Sequence, residues 1–121
     1  SIKQMQGDFE TAASDLDRAI ALDSKYRDAL YRKALSELSA NHVSRALELL
    51  NTVISIDAGY KQAYNAKGLA LEMQGDYERA IVAYDRALKI DGKWPVALTN
   101  KMHALLAEGR QKEAADILLR L

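Results

Sequence analysis

A chain of 121 residues, 49 % of them hydrophobic, can close one core or one short array of repeated units. Its 17 basic and 17 acidic side chains cancel, which leaves no basic excess for nucleic acid and no polybasic anchor for a membrane surface. It has no cysteine, hence neither disulfides nor thiolate metal sites, and no apolar run near the roughly 20 residues of a membrane span.

One proline, six glycines, frequent alanine and leucine, and no alternating β-branched runs predict an all-α fold. In chain order, apolar residues at helical spacing predict helices over 1–6, 9–22, 27–40, 43–56, 61–74, 77–90, 95–108 and 111–121. The stripe Phe9, Ala12, Ala13, Leu16, Ala19, Ile20 marks the second of these, and Tyr60, Ala63, Tyr64, Ala66, Leu69, Ala70, Met73 the fifth. Pro95 falls at a first helical position, where its missing N–H has no intrahelical partner to lose. The words between helices repeat. Met5-Gln6-Gly7-Asp8 returns as Met73-Gln74-Gly75-Asp76, 68 residues on, which is twice 34. Gly7, Asn41, Gly75 and Gly109 stand at that step of 34, and glycine and asparagine are the residues that tolerate a left-handed backbone at a helix end. Ala12, Ala46, Ala80 and Ala114 form a second column; Leu16, Leu50, Tyr84 and Leu118 a third; Ala19, Val53, Ala87 and Leu121 a fourth. Leu22, Ile56 and Ile90 follow, then Asp23, Asp57 and Asp91, then Tyr26, Tyr60 and Trp94.

A 34-residue helix–turn–helix period with these columns resembles the tetratricopeptide repeat family. Residues 61–94 fit the family's word best: Tyr64 for the opening aromatic, Gly68 for the small residue, Gly75 for the turn, Ala80 and Tyr84 for Ala-x3-aromatic, and Ala87 for the second small contact. Lys67 stands where leucine is usual, Leu71 where an aromatic is usual, and Ser24, Ala58 and Gly92 where a closing proline is usual, which predicts looser turns between repeats. The resemblance implies a right-handed superhelical solenoid of antiparallel helix pairs, in which no pair buries its apolar face alone. The frame reads as one array, 1–121, with a truncated repeat at 1–26, repeats at 27–60 and 61–94, and a repeat cut within its second helix at 95–121. Both ends are expected to expose apolar surface, which favours end-to-end association with another copy or a longer parent array.

Three constellations have a structural and a functional reading. Lys33, Lys67 and Lys101 also recur at 34, each ten residues after one of the aspartates. A basic ladder for an acidic ligand is one reading; packed stems with their ammonium groups in water or on the nearby carboxylate is the favoured one. Tyr26, Tyr60 and Trp94 are expected to staple the entry of each first helix against the preceding pair. His42 falls in a turn and His103 on a first helix; with no carboxylate cluster they predict no metal site, and no catalytic motif is recognisable, so neither enzyme activity nor a cofactor is expected.

The resemblance places ligand contacts on the first helix of each pair, at repeat positions 2, 5, 6, 9, 12 and 13. These give Asp28, Tyr31, Arg32 and Leu35, with Leu38 and Ser39, in the first complete repeat. They give Gln62, Asn65, Leu69 and Met73, with Ala66 and Glu72, in the second. They give Val96, Thr99, Asn100 and His103, with Leu106 and Ala107, in the third, and Met5 joins from the truncated copy. Such a wall implies a non-catalytic module that holds an extended or helical segment of a partner protein. The alternatives are an assembly element pairing through its ends, or a regulatory region of a larger enzyme. The slots of the family's carboxylate clamp hold Tyr31, Leu35, Ala66, Val96 and Asn100, of which only Asn100 matches, and the asparagine ladder at position 6 reads Arg32, Ala66, Asn100 and is broken.

Overall fold

The computed structural model describes residues 9–121, with side chains from Leu22 onward; Met5, Gly7 and the helix expected over 1–6 lie outside the described residues. The described residues form six helices and no strand: α1 (Phe9–Ser39), α2 (Val43–Ile56), α3 (Lys61–Met73), α4 (Tyr77–Ile90), α5 (Pro95–Ala107) and α6 (Gln111–Arg120). Each helix packs on the next, and α1 also meets α3, as α3 meets α5. That neighbour order is a solenoid built from local contacts.

The turns inside the pairs share one geometry. Asn41, Gly75 and Gly109 take φ of 64°, 78° and 76°. At each, two N–H groups cap the outgoing helix: His42 to the Glu37 carbonyl and Asn41 to Leu38, Asp76 to Leu71 and Gly75 to Glu72, Arg110 to Leu105 and Gly109 to Leu106. This double bond to the last carbonyls is what a left-handed residue makes possible. Asp76 then caps α4 by accepting the Arg79 N–H at 3.2 Å. Nothing lies within 4 Å of a Cβ built on Gly75, so alanine there meets only the backbone penalty. Gly75→Ala is expected to lower the unfolding free energy by about 1 kcal/mol, read by urea denaturation.

The turns between pairs differ from expectation in one place. Asp57–Tyr60 and Asp91–Trp94 break the helix as predicted, with Asp57 and Asp91 both in extended backbone at φ −142° and −136°. The Gly59 N–H donates to the Asp57 carboxylate at 3.0 Å, closing a local turn. Residues 23–26, however, are helical, and the two segments expected at 9–22 and 27–40 are one continuous helix. Asp23-Ser24-Lys25-Tyr26 contains neither the glycine of Asp57-Ala58-Gly59 nor the Gly92 and Pro95 of the last turn. With no residue that resists helix, the ladder runs through. Tyr26 is consequently exposed on α1, while Tyr60 and Trp94 pack against buried clusters.

The core lies along the helix interfaces. Ala34, Leu50, Val53, Ala63 and Ala66 form one cluster; Leu71, Ala80, Ala83, Tyr84, Leu98, Leu105 and their neighbours form a larger one. The repeat columns explain the fit. Ala46, Ala80 and Ala114 are buried, letting paired helices approach closely, and Leu50 and Tyr84 fill the space between pairs. Gly68 is the extreme case: a Cβ on it would sit 2.6 Å from Cδ1 of Tyr84. Leu118 and Leu121 belong to the same columns as Tyr84 and Ala87 but face solvent with Leu119, on a helix that packs on α5.

Candidate binding groove

The first helices of the pairs are the second half of α1, α3 and α5, and they hold the eighteen described wall residues expected from sequence. Five of the wall's large apolar side chains are exposed: Leu35, Leu69, Met73, Val96 and Leu106. Met73 retains 48 % of its surface. Leu35 and Leu69 are the same repeat position on neighbouring helices, and Met73 lies one turn beyond Leu69 on the same face of α3. Arg32 and His103 are exposed beside them, and Gln62 and Thr99 are half-buried.

Other wall residues are engaged within the fold. Asn65 is only 8 % exposed, and Asn100 Nδ2 donates to its Oδ1 at 2.9 Å, tying α3 to α5. Tyr31 is half-buried with its ring 5.3 Å from that of Tyr60, and burial pushes its phenol up. Asp28 accepts from Arg27 at 3.0 Å. Ala66 is buried in the core, and Glu72 accepts from the Tyr84 hydroxyl at 2.8 Å. The free contact surface is therefore narrower and more apolar than the sequence positions suggest. Met5 lies outside the described residues.

The aspartate column has partners the sequence spacing did not reveal. Arg27 Nη1 donates to Asp57 at 2.8 Å, and Lys61 Nζ to Asp91 at 2.6 Å, each cation coming from 30 residues earlier. The same two cations lie over aromatic rings, Arg27 on Tyr60 at 4.8 Å and Lys61 on Trp94 at 4.7 Å. Each inter-repeat turn is thus bracketed by the cation that opens the repeat it closes. Lys101 pairs with Asp85 at 2.7 Å rather than with Asp91. Of the two places expected for the lysine ammonium groups, water or the nearby carboxylate, the carboxylates of Asp57 and Asp91 are taken by this bracket, because the turn aims them back toward the earlier helix.

The Lys61 hydrogen bond holds the Asp91 carboxyl below the ordinary aspartate range. A depressed folded pKa gives stability that is present above the unfolded value and is lost as pH falls through the folded one. Lys61→Met is expected to melt below the parent at neutral pH. The gap should narrow as pH falls through the lowered Asp91 value, without closing, because the cation–ring contact survives acid. Thermal melts across that range check it.

Among the described residues no group of three His, Cys, Asp or Glu side chains could hold a metal ion, and no helix is long and apolar enough to cross a membrane. A family model described as tetratricopeptide repeat matches residues 62–93, and another of the same description matches residues 4–69, more than half of the chain. The chain belongs to the tetratricopeptide repeat family, whose members are in general interaction modules without catalysis.

No curated protein sequence matches it. Among solved structures, MamA superposes with a TM-score of 0.74 at 22 % identity over 78 % of this chain and 55 % of that one. The chain therefore spans about half the length of that protein. The Yersinia enterocolitica type III secretion translocator chaperone SycD gives 0.77 at 22 % identity, over 80 % of this chain and 72 % of that one. SycD is also similar in its complex with a peptide of the translocator YopD. The second tetratricopeptide domain of Spaghetti (RPAP3), bound to the HSP90 peptide SRMEEVD, gives 0.74 at 18 % identity, over 78 % of this chain and 87 % of that one. At these identities the likeness is one of fold: an all-α right-handed solenoid.

Proposed function

We propose that this chain is a non-catalytic module that holds a segment of a partner protein against α1, α3 and α5. Its repeats would run 27–60 and 61–94, with partial units at 1–26 and 95–121. The observation that carries the reading is the run of exposed apolar side chains Leu35, Leu69 and Met73 on the first helices, where second-helix columns such as Leu50 and Tyr84 are sealed. Isolated exposed leucines are ordinary; a repeated one beside an adaptable methionine is a contact surface. Peptides bound to SycD and to the Spaghetti domain support the class of ligand. None of the clamp slots, Tyr31, Leu35, Ala66, Val96 and Asn100, holds a cation, so the segment would be held by its apolar side chains rather than by a terminal carboxylate.

The test is a paired capture experiment. Leu69→Asp with Met73→Asp is expected to weaken partner capture by about tenfold or more, as loss of a central apolar anchor does. Leu119→Asp, on α6, should leave capture intact. Equal capture by both variants would move the site off this wall.

A second reading has its own observation. Leu118, Leu119 and Leu121 form an exposed apolar patch on α6, suited to pairing with another copy. Sedimentation across a dilution series tests it, and a monomer at every concentration rejects it.

A further inference from the structure

Half a turn around α3 from the groove wall lies a cleft of about 280 Å³ between α2, α3 and α4. Lys67, Arg79 and Arg86 converge on it, over a floor that includes Ile54, Leu71 and Val82. Neither Lys67 nor Arg86 has an ion-pair partner among the described residues, and the nearest carboxylate oxygen to Arg79 is that of Asp76 at 3.7 Å.

The same cleft occurs one repeat earlier, and the comparison is informative because the backbone is the same. There Lys33 and Arg45 occupy the columns of Lys67 and Arg79. Glu37 stands in the column of Leu71, Glu48 in that of Val82, and Thr52 in that of Arg86. Two cations face two acids, and Arg45 lies 3.9 Å from Glu37. One repeat later, Lys101 is neutralised by Asp85 at 2.7 Å. The residue in the register of Asp85 for the middle lysine is Asn51, which carries no charge. The middle copy alone has three cations and no acid in its cleft, in a chain whose net charge is zero. Three like charges whose single counter-charge, Asp76, stands 3.7 Å from Arg79 and outside the lining oppose folding, so scaffold needs alone do not account for them.

We propose that this cleft is a binding site for an organic phosphate monoester, its oxyanion held by Lys67, Arg79 and Arg86 and its apolar stem on Leu71 and Val82. Two guanidinium groups and an ammonium suit a compact dianion, and arginine meets phosphate in a bidentate fork. Burial and the two arginines hold the Lys67 ammonium below its ordinary range, a repulsion that a bound anion relieves. The site is independent of the groove.

The test is an NMR titration of the chain with phenyl phosphate, with ionic strength held constant by chloride. Saturable shifts confined to Lys67, Arg79, Arg86 and their neighbours are expected, with half-saturation below about 1 mM. Inorganic phosphate, which lacks the stem, should need several-fold more. Arg86→Thr, the residue at the equivalent position 52, should weaken binding about tenfold with a melt no lower than the parent's. Asn51→Asp should do the same by filling the site from within. Leu69→Asp with Met73→Asp should titrate like the parent. The proposal is overturned if shifts spread equally over Lys33 and Lys101, if both cleft variants titrate like the parent, or if inorganic phosphate binds as tightly as the ester.

Discussion

Alanine at position 68 is expected to destabilise the protein by about 2 kcal/mol, measured by urea denaturation. Helix propensity argues the other way, since Gly→Ala inside a helix gains up to about 1 kcal/mol. Packing outweighs it here. The new methyl would fall within the Tyr84 ring, that ring is fully buried, and its hydroxyl is tied to Glu72 on the next turn of the same helix as Gly68. The ring has nowhere to retreat, and overpacking of this kind typically costs about 1–3 kcal/mol. One repeat earlier the same two columns hold Ala34 and Leu50, both buried in one cluster. Gly68→Ala with Tyr84→Leu therefore rebuilds a pair this fold already contains. The double variant should be more stable than the sum of the two single effects by about 1 kcal/mol or more. Additive losses, or a stabilised Gly68→Ala, would show that the two residues do not oppose each other across the pair.

At alkaline pH the largest effect is expected from Tyr84→Phe. Burial first, and then the hydrogen bond to Glu72, push the Tyr84 phenol far above its ordinary value. In the unfolded chain that phenol ionises near pH ~10. A raised folded pKa means stability that is complete below the unfolded value and is lost as pH climbs beyond it. One proton corresponds to a loss of about 1.4 kcal/mol per pH unit above pH ~10. At neutral pH the phenylalanine variant should be weaker by about 0.5–1.5 kcal/mol, having lost a hydrogen bond. With rising pH the two stability curves should converge and cross. Tyr31 and Tyr60 are also shifted upward, but both remain in the variant, so the difference between the curves isolates Tyr84. Parallel curves would mean that the buried hydroxyl does not resist ionisation.

Much of this architecture was legible in the spacing of small and left-handed residues. The helices at 43–56 and 77–90 match their expected bounds, and Asn41, Gly75 and Gly109 take the backbone their chemistry permits. What the columns did not convey was the consequence of a missing breaker. Tyr26 holds the same place as Tyr60 and Trp94, yet without glycine or proline in 23–26 the helix does not stop. Nor did a ten-residue spacing indicate where a carboxylate points once a turn has reversed the chain: Asp57 and Asp91 reach back to Arg27 and Lys61. Along the wall, sequence could assign positions to one face but not say that Asn65 would be covered and bonded by Asn100. The basic cleft was hidden for another reason. Its lysine belongs to a regular column, and only the absence of acids at Leu71, Val82 and Asn51 sets the middle copy apart.

The cation bracket bears on how such a chain can lengthen or shorten. Arg27 with Asp57 and Tyr60, and Lys61 with Asp91 and Trp94, are successive clasps, each tying the start of one unit to the turn that closes it. Excising residues 61–94 as a block would join Tyr60 to Pro95 and leave the first clasp whole. Excising the same number of residues from inside the first clasp, 45–78 for example, would bring Asp91 and Trp94 into the register of Asp57 and Tyr60, opposite Arg27. Gene duplication and loss in steps of 34 residues between two clasps leave the surviving joint fastened wherever the cut falls, so the period itself makes such an array easy to extend.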